Sequence, residues 1–162
     1  MMILKRKHIK TPLGIMVVAA SHEGLAGLWF EGQQHMPAFE AWPEVRKDPF
    51  LDQAHAEIDA YFKGTCQHFT TPRAAAWGTA FQRQVWESLM SVPFGTTTTY
   101  GDIARQLDNP SAVRAVGGAV GRNPWSIMTP CHRVIGASGA LTGYAGGLER
   151  KVELLRLEGV LR

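Results

Sequence analysis

Cysteine is scarce in this chain, with two among 162 residues, Cys66 and Cys131. Two thiols make neither a disulfide framework nor a set with metal-ligand spacing, so no metal and no cofactor is expected. Cys66-Gln67-His68 offers two soft ligands without companions and reads as surface loop. Long apolar runs are missing too. Nothing approaches the roughly eighteen residues of a membrane span, and no basic-then-apolar leader opens the chain. Membrane association is therefore not expected, and a free thiol suits a reducing, cytoplasmic setting. Charged residues make up only 19%, against 45% hydrophobic, the balance of an ordinary globular protein. An acidic excess is absent, and the net charge is +3. Residues 1–80 hold eight Lys/Arg and eight Asp/Glu, whereas residues 81–162 hold nine and six. The positive excess thus lies in the second half, a bias toward a polyanionic partner that does not by itself require one.

What is present divides into two patterns. In the first, Met2–Lys10, Gly14–Ala20 and Leu25–Phe30 read as strands joined by turns at Thr11–Gly14 and Ser21–Gly24. After an irregular stretch from Glu31 to Lys47, Asp48 caps a helix with Pro49 at its first position. Leu51, Ala54, Ile58, Tyr61 and Phe62 form its apolar face, and Gly64 ends it. This predicts a small antiparallel sheet with a helix in residues 1–78, the stretch Thr65–Gly78 serving as linker. The second pattern, residues 79–162, is mainly helical. Thr79 and Gln82 form a capping box before the stripe Phe81, Val85, Trp86 and Leu89. Thr99 caps a short helix, Tyr100–Leu107; Asp108-Asn109-Pro110 breaks it; Ser111 caps the next, Ala112 to about Gly121. A last helix carries Leu148, Val152, Leu155 and Arg156. The fold class expected is α+β, with a helix-turn-helix, winged-helix-like second domain.

The chemistry centres on Thr129-Pro130-Cys131-His132-Arg133-Val134-Ile135-Gly136. A thiol of pKa about 8.5 is a poor nucleophile at neutral pH, and a neighbouring base can activate it. Pro130 biases Thr129 toward extended backbone, so the segment reads as a strand. On a strand the Cys131 and His132 side chains point to opposite faces, which favours proton transfer through a bridging water. A buried structural cysteine is the plain alternative. Upstream, the second helix of the helix-turn-helix carries Ala112, Ala115, Gly117, Gly118, Ala119 and Gly121. Each helical Gly costs about 1 kcal/mol relative to Ala, so several need a reason. Either the helix packs tightly against another, or its slimness lets it enter a narrow nucleic-acid groove with Arg114 as its one long side chain.

These segments together resemble the O6-alkylguanine-DNA alkyltransferases, the methylated-DNA–protein-cysteine methyltransferases. The carriers are Pro130-Cys131-His132-Arg133-Val134, Arg114–Ala119, Asn123-Pro124, Tyr100-Gly101, Gly143–Gly147 and Leu154–Gly159, in the family's order and spacing. The resemblance implies Cys131 as alkyl acceptor, His132 as its water-mediated base and Glu158 as the carboxylate that polarises His132. It implies that Tyr100 donates to guanine N3 and that Arg114 fills the gap left by a flipped nucleotide. Ser111, Ala115 and Gly118 would face DNA, and Asn123 would be a hinge between recognition helix and active-site segment. The Cys131 and Val134 carbonyls would accept from the guanine amine, Val120 would pack on the base, and Tyr144-Ala145-Gly146 would close the pocket. Ala145 stands where some members have serine, and the zinc ligands of some N-terminal domains have no equivalent here. The expected partner is duplex DNA containing O6-alkylguanine, met by a monomer that acts once. A sequence-reading regulator and a cysteine hydrolase are the rival readings.

Overall fold

The computed structural model describes residues 3–74 and 76–162, and the chain divides into two compact units, one reaching Trp77 and one running from Gly78 to Arg162. In the first unit β1 (Lys5–Thr11), β2 (Gly14–Ser21) and β3 (Gly24–Phe30) form an antiparallel sheet in the order β1-β2-β3. The expected beginning of the first strand at Met2 lies outside the described residues. Two-residue loops join the strands, since Thr11 pairs with Gly14 and Ser21 with Gly24. Every residue of β3 is buried, as suits a strand covered on both faces.

Both sheet edges are closed by irregular chain, which removes the unpaired groups that invite aggregation. Arg6 of β1 exchanges backbone hydrogen bonds with Pro43 and Val45, and its guanidinium holds the Phe39, Glu40 and Trp42 carbonyls. Leu25 of β3 likewise pairs with Pro72 and Ala74. The stretch expected as a linker is therefore part of this unit as far as Ala74; Ala75 lies outside the described residues. Helix α1 (Pro49–Phe62) is capped by Asp48, whose carboxylate accepts from the Phe50 and Leu51 amides. Glu57, on the same helix, accepts from the Thr70 and Thr71 amides and hydroxyls, pinning the returning chain. Trp29, Trp42 and Trp77 pack with ring centroids 5.5–6.0 Å apart. The Trp29 ring lies over Gly27, where a Cβ would come within 2.0 Å of it. The strand needs a bare backbone at that point.

The second unit begins with α2 (Ala80–Leu89), entered through the complete Thr79/Gln82 capping box. A two-residue parallel ladder pairs β4 (Thr98–Thr99) with β5 (Val134–Ile135). Directly after β4 comes α3 (Tyr100–Gln106), then α4 (Val113–Gly121), and the unit ends with α5 (Leu148–Leu157). Trp86 of α2 donates to the Ala119 carbonyl of α4 at 2.7 Å and packs edge-on against Trp125. The α+β architecture is as expected, with three local corrections. The break between α3 and α4 spans residues 107–112 rather than three residues, because Asp108 adopts a left-handed conformation that folds the end of α3 back on itself. Ser111 does not cap α4: its hydroxyl turns back to Asn109, and Ala112 occupies the cap position without a side-chain bond. In α5 the buried face is Lys151, Leu154 and Leu155, not the stripe through Val152 and Arg156.

Candidate active site

Cys131 is reached through a tightly folded segment rather than a strand. Residues Cys131–Arg133 form a single 3-10 turn, and β5 starts only at Val134. The reason is where the preceding backbone groups find partners. The buried Asn123 amide donates to the Thr129 carbonyl at 2.8 Å and to the Trp125 carbonyl at 3.3 Å, while its oxygen accepts from the Trp125 amide. Thr129 N–H returns to the Trp125 carbonyl, and Ile127, fully buried, is held at φ 72°. A β-branched residue pays for that conformation, and such strain persists only when surroundings over-determine it. Asn123 Nδ2 also lies 3.2 Å from the Cys131 sulfur. Burial pushes the Cys131 thiol up, opposed by the Asn123 hydrogen bond and the Lys151 charge.

In a 3-10 turn, neighbouring side chains diverge by about a third of a turn, so the opposite-face geometry expected of a strand does not apply. His132 is fully buried with Nε2 2.6 Å from Glu158 Oε2, and its Nδ1 is buried with no hydrogen-bond partner among the described residues. Burial pushes the imidazole down, against the pull of the Glu158 hydrogen bond and charge. The neutral ring then carries its proton on Nε2, toward the carboxylate, and leaves Nδ1 as a lone pair. Glu158 is no exposed last-turn carboxylate. Arg133 donates to both its oxygens, at 2.7 and 3.1 Å, and to the Val92 carbonyl. That pairing offsets the unfavourable placement of an anion at a helix C-terminus. Gly159, at φ 80°, supplies the left-handed residue that ends α5 and fixes Glu158 as its C-cap.

The β4–β5 ladder sets Tyr100, the first residue of α3, beside this segment. Its phenol oxygen is 2.9 Å from Thr142 Oγ1. Lys151, fully buried on α5, donates to the Val134 carbonyl at 2.5 Å and to those of Thr142 and Gly143 at 3.3 and 3.5 Å. Its pKa falls to about 8 through burial, with Cys131 pulling the other way. The Val134 carbonyl so engaged, and that of Cys131, which accepts the Val134 amide, each keep one lone pair. In the loop that follows, Tyr144 and Ala145 are half-buried and Gly146 buried. Burial of the Tyr144 phenol, then the Cys131 charge, pushes its pKa well above the ordinary phenol value. Val120 and Val134 are buried.

The remaining predicted residues form a separate, outward group. Ser111, Arg114 and Ala115 are exposed at the start of α4, and Gly118 is half-buried. Arg114 has no hydrogen bond or ion pair among the described residues. The glycines of α4 also bear on the packing reason for a slim helix. A Cβ at Gly117 would meet only Tyr100 at 3.9 Å, one at Gly118 only Arg122 at 3.8 Å, and one at Gly121 nothing within 4 Å. Packing inside the unit does not require them.

The family description "6-O-methylguanine DNA methyltransferase, DNA binding domain" matches residues 80–160, and the ribonuclease-like domain of the same family matches residues 4–74. The chain belongs to the O6-methylguanine-DNA methyltransferase family. Among relatives of this methyltransferase, the methylated-DNA–protein-cysteine methyltransferase of Methanosarcina acetivorans is 44% identical over 93% of this chain and 95% of its own length. The inducible one of Bacillus subtilis is 46% identical over 83% and 80%. Mycobacterium tuberculosis O6-methylguanine methyltransferase superposes with a TM-score of 0.87 at 40% identity, covering 96% of this chain and 93% of that one. The Mycobacterium tuberculosis OGT solved in complex with DNA gives 0.86 at 41%, covering 95% and 92%.

Three residues of the methyltransferase site were given no role from the sequence: Arg133, Thr142 and Lys151. Lys151 had a signal, since it lies three residues after Leu148 and four before Leu155, on an apolar helical spacing that a surface lysine would avoid. Arg133 and Thr142 had none, because their partners come from elsewhere in the chain.

Proposed function

We propose that this protein repairs O6-alkylguanine in duplex DNA by moving the alkyl group onto Cys131. The observation that carries the assignment is the buried His132, neutral, with Nε2 tied to Glu158 and Nδ1 unpartnered next in sequence to a buried thiol. The thiol proton passes to Nδ1 through a bridging water. The sulfur forms its bond to the alkyl carbon as the carbon–O6 bond breaks, and the electron pair goes to guanine, which regains one proton. The thiol hydrogen thus replaces the alkyl group overall. A thioether is not hydrolysed, so each molecule reacts once. Because O6 is unreachable inside a stack, the nucleotide must be flipped, at a cost of a few kcal/mol. The slim α4 enters the minor groove with Arg114 in the vacated space and Ser111, Ala115 and Gly118 against the backbone. Asn123 is the hinge between α4 and the reactive segment, while Val120, Val134 and the Tyr144-Ala145-Gly146 loop line the base pocket. The protein works as a monomer.

Intact mass after incubation with O6-methylguanine duplex DNA is expected to rise by one methyl, located on Cys131 by peptide mapping. Cys131→Ser should still bind DNA and gain no mass. An adduct on Cys66, more than one methyl per molecule, or none, would defeat the assignment.

A further inference from the structure

Thr142 has both arms of its side chain engaged. Its methyl faces Gly136, where even a Cβ would come within 3.3 Å of it, and its hydroxyl meets the Tyr100 phenol at 2.9 Å. Its backbone is held as well. Lys151 donates to the carbonyls of Thr142 and Gly143 from a fully buried position, and that same ammonium is anchored on Val134, the first residue of β5. Gly136 N–H closes onto the Ala140 carbonyl at 2.9 Å, completing the turn that returns the chain to Thr142. Branching at Cβ restricts the rotation of the side chain, and with the methyl held against Gly136 the hydroxyl direction is set by packing.

We propose that Thr142 is a positioning residue for the alkyl transfer, orienting the Tyr100 phenol and fixing which way its hydrogen points. The inference rests on the alkyl-transfer reading above and adds a residue to it. A departing guanine gathers negative charge on its oxygen and ring nitrogens, so a phenol that faces it must donate. A phenol has a single hydrogen. Once that hydrogen is committed to the base, the Thr142 hydroxyl can only donate to the phenol oxygen. Donation to that oxygen polarises the O–H bond, because hydrogen bonds in a chain strengthen one another. Lys151, Val134 and Thr142 therefore form a relay of position that ends at Tyr100: charge on the ammonium, carbonyls gathered around it, a hydroxyl aimed at the phenol.

The test uses single-turnover alkylation by free O6-benzylguanine, which needs no nucleotide flipping, followed by intact mass over a range of probe concentrations. Thr142→Val keeps the shape and removes the hydroxyl, whereas Thr142→Ser keeps the hydroxyl. The maximal rate is expected to fall about three- to tenfold in Thr142→Val, the range of one neutral hydrogen bond, with little change in the concentration giving half-maximal rate. Thr142→Ser should restore most of it. In a Tyr100→Phe background, itself slower than wild type, Thr142→Val should cost nothing further. A Thr142→Val rate equal to wild type would overturn the proposal, as would an equal fractional loss in the Tyr100→Phe background or a Thr142→Ser variant as slow as Thr142→Val. Tyr100→Phe as fast as wild type would overturn it by removing the phenol from the reaction. Wild type that gains no benzyl group would instead defeat the alkyl-transfer reading itself.

Discussion

Lys151 keeps a charge where solvent does not reach it, and the consequence is a pH dependence with a definite sign. Its folded pKa of about 8 lies below the 10.5 of a free lysine. Between those values the unfolded chain binds a proton that the folded chain does not, so this residue makes stability rise with pH. Its contribution is complete above 10.5 and is lost as pH falls through about 8. Denaturant titrations of wild type and Lys151→Met should therefore diverge between pH 8 and 10, wild type gaining relative to the variant. Parallel curves would mean that burial does not lower the pKa of this ammonium. The groups that face Lys151 include Cys131, whose thiolate it favours, and His132, whose protonation it opposes. The same variant should thus show a higher apparent thiol pKa in the pH dependence of alkylation, and slower alkylation at neutral pH.

At the level of elements, α4 shows what a run of small residues is for. Gly118 has room for a methyl inside the unit, so Gly118→Ala should stabilise the fold by about 0.5–1 kcal/mol through helix propensity alone. If the outer face of α4 enters a groove, the same methyl meets nucleic acid, and affinity for duplex DNA should fall about tenfold or more. Urea unfolding and DNA titration on one variant check both halves; a tighter fold with unchanged affinity would send the helix back to an ordinary structural role. Elements such as these were legible because their signals are local. Asp48 with Pro49 announces α1, Thr79 with Gln82 announces α2, and Thr99 caps α3. The Cys131 segment misled for the opposite reason. Pro130 biases Thr129 toward extended backbone and so suggests a strand, but the Asn123 side chain, eight residues before the cysteine, takes the backbone carbonyl that a ladder would have used. Long-range partners were invisible: Arg133 meets Glu158 across 25 positions and Tyr100 meets Thr142 across 42. Spacing along a chain carries no signal for such pairs, which only the folded backbone brings together.

Across the whole molecule, the net charge of +3 overstates what a polyanion can use. Of the nine basic residues in positions 81–162, Arg133 and Lys151 are buried and spent on internal carbonyls and Glu158. Arg105 is paired with Asp102 and Arg156 with Glu153. Arg114 and Arg122 stand exposed at opposite ends of α4, and the α4 N-terminus adds amides that no side chain caps. Arg83 and Arg162 are exposed and Arg150 half-buried, all outside α4, so α4 itself offers two or three phosphate contacts. Each contact releases counterions and contributes about 0.9 to the slope of log affinity against log salt. Affinity for unmodified duplex should then fall roughly ten- to fortyfold between 50 and 200 mM salt, equally for unrelated sequences. Arg122→Ala should reduce the slope by about 0.9 and leave alkylation by a free base unaltered. Arg114→Ala should do more, because an inserted guanidinium also offsets the cost of flipping. Saturating DNA separates the two effects: transfer from duplex recovers to the wild-type rate in Arg122→Ala and stays slow in Arg114→Ala. Recovery in both would leave Arg114 as a phosphate contact like Arg122, and a marked affinity preference for one unmodified sequence would favour a regulator over a repair protein.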